Sequence, residues 1–308
     1  MHKIISMITK KTITNAALEL GFDLVGVVRA EHLTEEHNRF NEWLLAGNAS
    51  SLDYLKRNVE KRFDASRLVD GAQSVVICAI SYLSSYSRGY DEGAKTKIAS
   101  YALARDYHVT IKELLTRLAE QLKAHSPQLR YRAFTDSAPL AEKSYAVRAG
   151  LGWIGRNSLL VTPHHGSMLH LGELVIDDEV DEYDVPMKAV GCGECRRCIE
   201  ACPNGAILAN RTIDTRRCIS CRTIERESDA EQINLDGWVF GCDACQSVCP
   251  YNKCAPLHTN PLFDPQFDPT ALGVNEWQEM TEEEFKAMAG ATPLTRAGLD
   301  RIKRNIKE

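Results

Sequence analysis

The chain has 308 residues, 44% hydrophobic and 26% charged, with a formal net charge of −5. That is an ordinary soluble globular composition, long enough for one large core plus a small cofactor-held module. No uninterrupted apolar run approaches the ~20 residues of a membrane span, and the acidity argues against wholesale nucleic-acid coating, which draws its affinity from Lys and Arg on phosphates. Met1 to Lys11 holds three lysines but no sustained apolar stretch before a small-residue cleavage site, so no signal peptide is expected and the cytoplasm is the expected location.

In chain order, residues 11–20, closed by Gly21, predict a helix and Phe22 to Val28 a strand. A helix from Thr34 to Ala46 ends at Gly47, and Tyr54 to Asn58 with Glu60 to Phe63 forms a polar, aromatic segment without a clean period. Val75 to Ile80 is a continuous apolar run, the pattern of a strand buried on both faces, with Cys78 as inert core. Asp91 to Thr96 is loop. Tyr101 to His108 leads into a helix with the stripe Ile111, Leu114, Leu115, Leu118 and Leu122, and Pro127 follows its end. Tyr131 to Phe134 predicts a short strand. Thr135 to Pro139 then reads as a turn into a helix reaching Ala149, where the local sequence makes Asp136 a helix-entry cap and puts Pro139 in the first turn.

Gly150 to Asn157 carries glycines in G-x-G-x-x-G spacing, but after a helix and before the strand Ser158 to Val161, the wrong order for a dinucleotide fingerprint. His164, His165 and His170 surround Gly166-Ser167, Leu171 to Ile176 predicts another buried strand, and the acidic run Asp177 to Asp184 reads as a solvated linker. The tail beyond Pro256 is punctuated by proline, with a terminal helix expected from Thr295. The fold class expected is α/β (α+β) followed by a two-cluster ferredoxin-like module: residues 1–185, 186–256 and a C-terminal extension 257–308.

Ten of the eleven cysteines fall between residues 192 and 254. Cys192, Cys195, Cys198 and Cys202 before Pro203 have the C-x2-C-x2-C-x3-C-P spacing that wraps a chain around a 4Fe-4S cube, with the last cysteine serving a neighbouring cluster. Cys242, Cys245 and Cys249 before Pro250 repeat the end of the pattern, with Val239 where a first cysteine would stand. Exchanging the cysteines before the prolines gives one cluster Cys192, Cys195, Cys198 and Cys249, and leaves Cys202, Cys242 and Cys245 for a second. Either Cys218 or Cys221 completes eight ligands; the remaining one and Cys254 read as packing residues. The rival is zinc on Cys218, Cys221, Cys242 and Cys245, which would orphan Cys202 and Cys249 and overfill the first motif. Arginines 196, 197, 211, 216, 217, 222 and 226 face Glu200, Asp214 and Glu225, a local +4, and Arg296, Arg301, Lys303, Arg304 and Lys307 face Asp300. These two basic patches suit a polyanion or compensate anionic clusters.

Tyr101 to His108, Phe134 to Pro139, Gly150 to Asn157, Gly166-Ser167 with Leu171 to Leu174, and Gly241 to Pro250 together resemble the epoxyqueuosine reductases over residues 15–256. The resemblance implies a cobalamin-dependent enzyme with two 4Fe-4S clusters, related to reductive dehalogenases, that converts epoxyqueuosine at the tRNA wobble position to queuosine. It implies Asp136 as proton donor, places Arg57, Tyr107, His108, Trp153, Arg156, Asn157, Ser158 and Ser167 near the corrin, and selects Cys218 as the borrowed ligand. An acid in that role is expected to be buried beside the apolar corrin. Asp106-Tyr107-His108 begins a D-x-H-x-x-G motif, but Ile111 replaces its glycine, so a histidine–cobalt bond is not expected. An everted anticodon-loop base would reach the site while Arg217, Arg222, Arg301 and Arg304 hold phosphates. An external low-potential electron donor, a monomer and no membrane complete the expectation. A reductive dehalogenase, disfavoured without a twin-arginine leader, and a ferredoxin-type carrier are the alternatives. Longer relatives continue into helical repeats, and a short form without them is the expectation for this chain.

Overall fold

The computed structural model describes residues 7–91, 93–188, 191–225 and 233–307. Its strands are β1 (Leu24–Arg29), β2 (Ser74–Ser81), β3 (Lys97–Ile98), β4 (Tyr131–Phe134), β5 (Trp153–Ile154), β6 (Leu160–Val161), β7 (Leu169–Ile176) and β8 (Trp238–Phe240). The helices of the first part are α1 (Lys10–Glu19), α2 (Thr34–Leu45), α3 (Asp53–Lys56), α4 (Val59–Arg62), α5 (Tyr107–Leu122) and α6 (Glu142–Arg148). Those that follow are α7 (Arg197–Glu200), α8 (Ile219–Ile224), α9 (Ala244–Ser247), α10 (Pro250–Cys254), α11 (Val274–Glu279), α12 (Glu282–Ala289) and α13 (Leu299–Lys307). None of the described helices is long and apolar enough to cross a membrane.

The main sheet has the order β1-β2-β7-β4 and is antiparallel at every pairing. All eight residues of β2 are buried because both faces of the sheet are covered. Val76, Cys78 and Ile80 pack with Ile13 and Ala17 of α1 and the Ile111 to Leu122 stripe of α5. Val75, Ile77 and Ala79 pack with Phe63 and with Tyr145 and Ala146 of α6. Each fully buried Val, Ile, Leu or Phe among them contributes roughly 1.5–3 kcal/mol of apolar transfer. Gly172 lets α5 lie directly on β7, since a Cβ there would sit 2.4 Å from a methyl of Ile111.

Three local readings change in the folded chain. Helix α6 starts at Glu142 with Ala141 as its N-cap, so Asp136 caps nothing and Pro139 lies outside the helix; Asp136 instead takes the left-handed conformation, φ 46°. The acidic run is not merely solvated. Asp184 accepts from the Val27 amide (2.9 Å) and pairs with Lys10 (2.7 Å), Asp177 pairs with Arg130 (2.6 Å), and Glu179 with Arg29 (3.3 Å), so the run straps along the sheet edge. And Cys254 is exposed rather than packed.

The extension beyond residue 256 shares its core with earlier segments. Strand β3 pairs in parallel with β8, and Ile98, Ala102, Leu103, Val239 and Phe240 form one apolar cluster with Trp277, Phe285, Leu294, Leu299 and Ile302. The Asp106 amide, at the start of α5, donates to the Ala291 carbonyl (2.8 Å).

Candidate active site

Asp106 caps α5, its carboxylate accepting from the His108 amide (2.9 Å), and this sets Tyr107 and His108 side by side in the first turn. The same Asp106 oxygen lies 2.7 Å from His108 Nδ1, which turns Nε2 toward Asp136, 3.8 Å from its Oδ2. The hydrogen bond to Asp106 raises the His108 pKa above its ordinary 6.5, against the opposing effect of burial, with the Asp106 and Asp136 charges adding to it. Tyr107 donates its Oη hydrogen to Asp136 Oδ2 at 2.6 Å. The Tyr107 ring stacks on His108 (4.1 Å between centroids) and on His170 (4.3 Å). Burial holds the phenol well above its usual range, helped by Asp136, and pushes buried His170 down to about 3, so that ring is neutral. Asp136 itself is not buried: its side chain is 56% exposed, contrary to the enclosed setting expected from the sequence. Its amide donates to Glu142 Oε1 at 2.5 Å, which pins the left-handed turn from behind. A cavity of about 520 Å³ lined by Ser84, Tyr86, His258, Asp264 and Asp268 shares no residue with this corner.

The thiols gather in two sets. Cys192, Cys195 and Cys249 each act on Cys198, and Cys192 and Cys195 act on Cys249. Cys202 and Cys218 both act on Cys242, while Cys242 and Cys218 act on Cys245. Burial raises the Cys198, Cys218, Cys242, Cys245 and Cys249 thiols, and the neighbouring sulfurs add to the rise. So many buried, mutually repelling sulfurs fit cationic iron, which takes them as thiolates. Backbone N–H groups already point at them: Ala206 donates to Cys202 Sγ at 3.2 Å, and the Tyr251 and Asn252 amides donate to Cys249. Cys198 acts on Cys245, so the two sets adjoin. Cys221 is buried and acts on Tyr54.

A family model described as Epoxyqueuosine reductase QueG, DUF1730 matches residues 62–137, and one described as 4Fe-4S double cluster binding domain matches 191–252. The chain is 39% identical over 304 residues to the epoxyqueuosine reductase of Cyclobacterium marinum, covering 98% of this chain and 95% of that protein. It belongs to the epoxyqueuosine reductase family. The Escherichia coli epoxyqueuosine reductase is 34% identical over 94% of this chain and 77% of its own length. A crystal structure of epoxyqueuosine reductase with an epoxyqueuosine-modified tRNA-Tyr stem loop superposes with a TM-score of 0.85 at 28% identity, covering 96% of this chain and 79% of that one.

The other positions singled out for an epoxyqueuosine reductase cofactor spread along the seam with the thiol module. Arg156 donates to the Gly193 carbonyl (2.7 Å), with its Nε buried and unpartnered. Trp153 packs edge-on against Tyr251 (4.9 Å), and its indole N–H is also unpartnered. Ser167 is buried: its amide donates to Asn252 Oδ1 (2.6 Å) and its hydroxyl to Gln246 (2.9 Å), and a Cβ on neighbouring Gly166 would lie 2.0 Å from Asn252, so only glycine fits. Asn157 is buried with its Oδ1 toward the Leu159 amide (3.4 Å), while Ser158, at φ 64°, gives its carbonyl to Lys143 (2.7 Å). Arg57 is exposed after α3, its amide donating to the Tyr54 carbonyl (3.3 Å).

Of the basic residues, Arg217 and Arg304 are exposed, and Arg301 is half-buried with Nη1 on the Ile224 carbonyl (3.2 Å). Arg222 is a correction: at 5% exposure it is an interior residue and cannot face a phosphate backbone. Arg226 lies outside the described residues. Local sequence missed Glu142, Tyr54 and the reach of Arg296 to the corner, where it pairs with Glu225 (2.6 Å) and acts on Tyr54 and Asp136 neighbours. Glu173 left one trace in the sequence, a lone acid inside the buried strand Leu171 to Ile176.

Proposed function

We propose that this chain reduces epoxyqueuosine in the tRNA anticodon loop to queuosine, with Asp136 as the acid. The observation that carries the reading is the meeting of Asp136, Tyr107 and His108 in one corner of a chain whose eight motif cysteines gather in two adjoining sets. Cys192, Cys195, Cys198 and Cys249 would hold one 4Fe-4S cluster and Cys202, Cys218, Cys242 and Cys245 the other. The unpartnered buried N–H groups of Trp153 and Arg156 and the stacked Tyr107–His170 pair suit a large, flat, polar-edged cofactor such as cobalamin in residues 1–185. When bound, cobalamin and the clusters supply the two electrons the epoxide requires.

The protein's own task is proton delivery and alignment. Removing the epoxide oxygen as water breaks two C–O bonds, forms a C=C bond and consumes two electrons and two protons. Asp136, more than half exposed, presents its carboxyl group where an everted base can reach it, and protonates the departing oxygen. Tyr107 and His108 fix the carboxyl from one side, and Asp106 fixes the His108 ring. Arg217 and Arg304 remain the exposed candidates for flanking phosphates, and an external low-potential donor, a monomeric state and the cytoplasm go with this reading. Anaerobic reconstitution with iron, sulfide and cobalamin, followed by assay on tRNA carrying epoxyqueuosine, tests it: queuosine should form, and its absence from a fully loaded enzyme would end the proposal.

A further inference from the structure

Two glutamates behind Asp136 have no assigned role. Glu142 Oε1 accepts the Asp136 amide (2.5 Å), the one hydrogen bond made by that strained residue's own backbone N–H. Glu173, on β7 opposite Phe134, is 0% exposed, and among the described residues neither of its carboxyl oxygens meets an N–H or O–H donor. What faces it is the carboxyl group of Glu142. We propose that Glu142 and Glu173 share one proton, and that this protonated pair is the latch that keeps Asp136 in its left-handed, substrate-facing conformation. The inference rests on the functional reading above, and Glu142 is a positioning residue, since it acts through Asp136.

The argument is electrostatic. Two carboxylates facing each other without a cation repel in a low dielectric, whereas one shared proton turns them into a hydrogen-bonded unit of charge −1 that titrates as a pair. The charged and titratable groups around them are Asp136 on the loop, Lys143 on α6, Arg62 on α4, Tyr107 on α5 and Cys78 on β2. None of these forms an ion pair with either glutamate, and the Lys143 ammonium is engaged by the Ser158 carbonyl. Burial, and next the Asp136 charge, push Glu142 up to about 7, and burial holds Glu173 well above the carboxylate range. With the proton present, one Glu142 oxygen bonds Glu173 while the other receives the Asp136 amide. Once it is lost, the repelled Glu142 side chain no longer holds the loop.

An amide mimics the protonated state. Glu142→Gln can donate N–H to the Glu173 carboxylate while its Oε1 still accepts the Asp136 amide, so this variant is latched at every pH. We expect wild-type kcat to fall only above pH 7, where the pair gives up its last proton, which burial and the Glu142 charge hold on Glu173 well above the carboxylate range, and Glu142→Gln and Glu173→Gln to lose that alkaline limb. Glu142→Ala should lower kcat about 10²-fold, the scale of a misplaced catalytic group, with KM for tRNA unchanged. Infrared spectra of the reconstituted protein without substrate should show a protonated carboxyl band titrating near the same pH, absent from both Gln variants. An alkaline limb in Glu142→Gln identical to wild type, or no such band in the wild type, overturns the latch. If wild type reduces no epoxyqueuosine at any pH, the functional reading fails, and the infrared result still decides the pair.

Discussion

The seam and the catalytic corner are held by opposite kinds of structure. At the seam, Ser167, Gln246 and Asn252 form a buried hydrogen-bond network, Ser100 gives both its amide and its hydroxyl to Asp243 (2.7 Å each), and Arg88 caps the carbonyls of Asn252, Lys253 and Ala255. At the corner, Asp136 is more than half exposed, backbone-strained, and held by single contacts from α5 and α6. A relay of electrons needs a constant separation between its stations, and the buried hydrogen-bond network supplies it. In the proposed role, Asp136 would meet a bulky RNA base and so needs access, for which the corner gives up enclosure.

The comparison breaks most severely at the thiols. Cys218→Ala should remove half the bound iron and abolish turnover, whereas Cys221→Ala should keep both clusters, as measured by iron content and electron paramagnetic resonance; the reverse pattern would reassign the ligand. Asp136→Asn should lower turnover about 10²–10⁴-fold with clusters and cobalamin retained. Asparagine is the informative replacement because it tolerates positive φ, leaving the turn intact. At the seam, Asn252→Ala leaves the buried Ser167 amide unpaired and should cost about 1–3 kcal/mol in denaturant unfolding, against little change for Asp136→Asn. The corner also carries a pH signature. The folded pKa of Glu142 lies above its ordinary 4.5, so its stabilising contribution is complete below 4.5 and is lost as pH rises through about 7. Unfolding curves of Glu142→Gln should lack that decline. The smallest effect is expected at the surface, where Arg304→Glu should weaken tRNA binding and reduce its salt slope by about one charge or more.

The sheet and the thiols were legible in sequence because their information is local. The apolar run Val75 to Ile80 and the stripe of α5 state burial directly, and the cysteine spacing states which sulfurs can converge. Asp136 was singled out only through resemblance. Its own neighbourhood spells a helix cap, and the contacts that set it elsewhere come from Tyr107, His108 and Glu142, on elements distant in sequence or displaced by a later helix start. Arg222 misled for the same reason: a charge in a basic run looks exposed until tertiary packing buries it. Spacing did not choose between Cys218 and Cys221, since both stand near the right place: Cys218 precedes α8 and acts on Cys242 and Cys245, while Cys221 within α8 acts on Tyr54.

The bond from the Asp106 amide to the Ala291 carbonyl, together with the pairing of β3 and β8, has a consequence for biosynthesis. The start of α5, which carries Tyr107 and His108, is fastened by a segment translated long after it. A ribosome therefore releases most of the polypeptide before the reaction centre can close. Until then the turn that carries Tyr107 and His108 lacks its fastening.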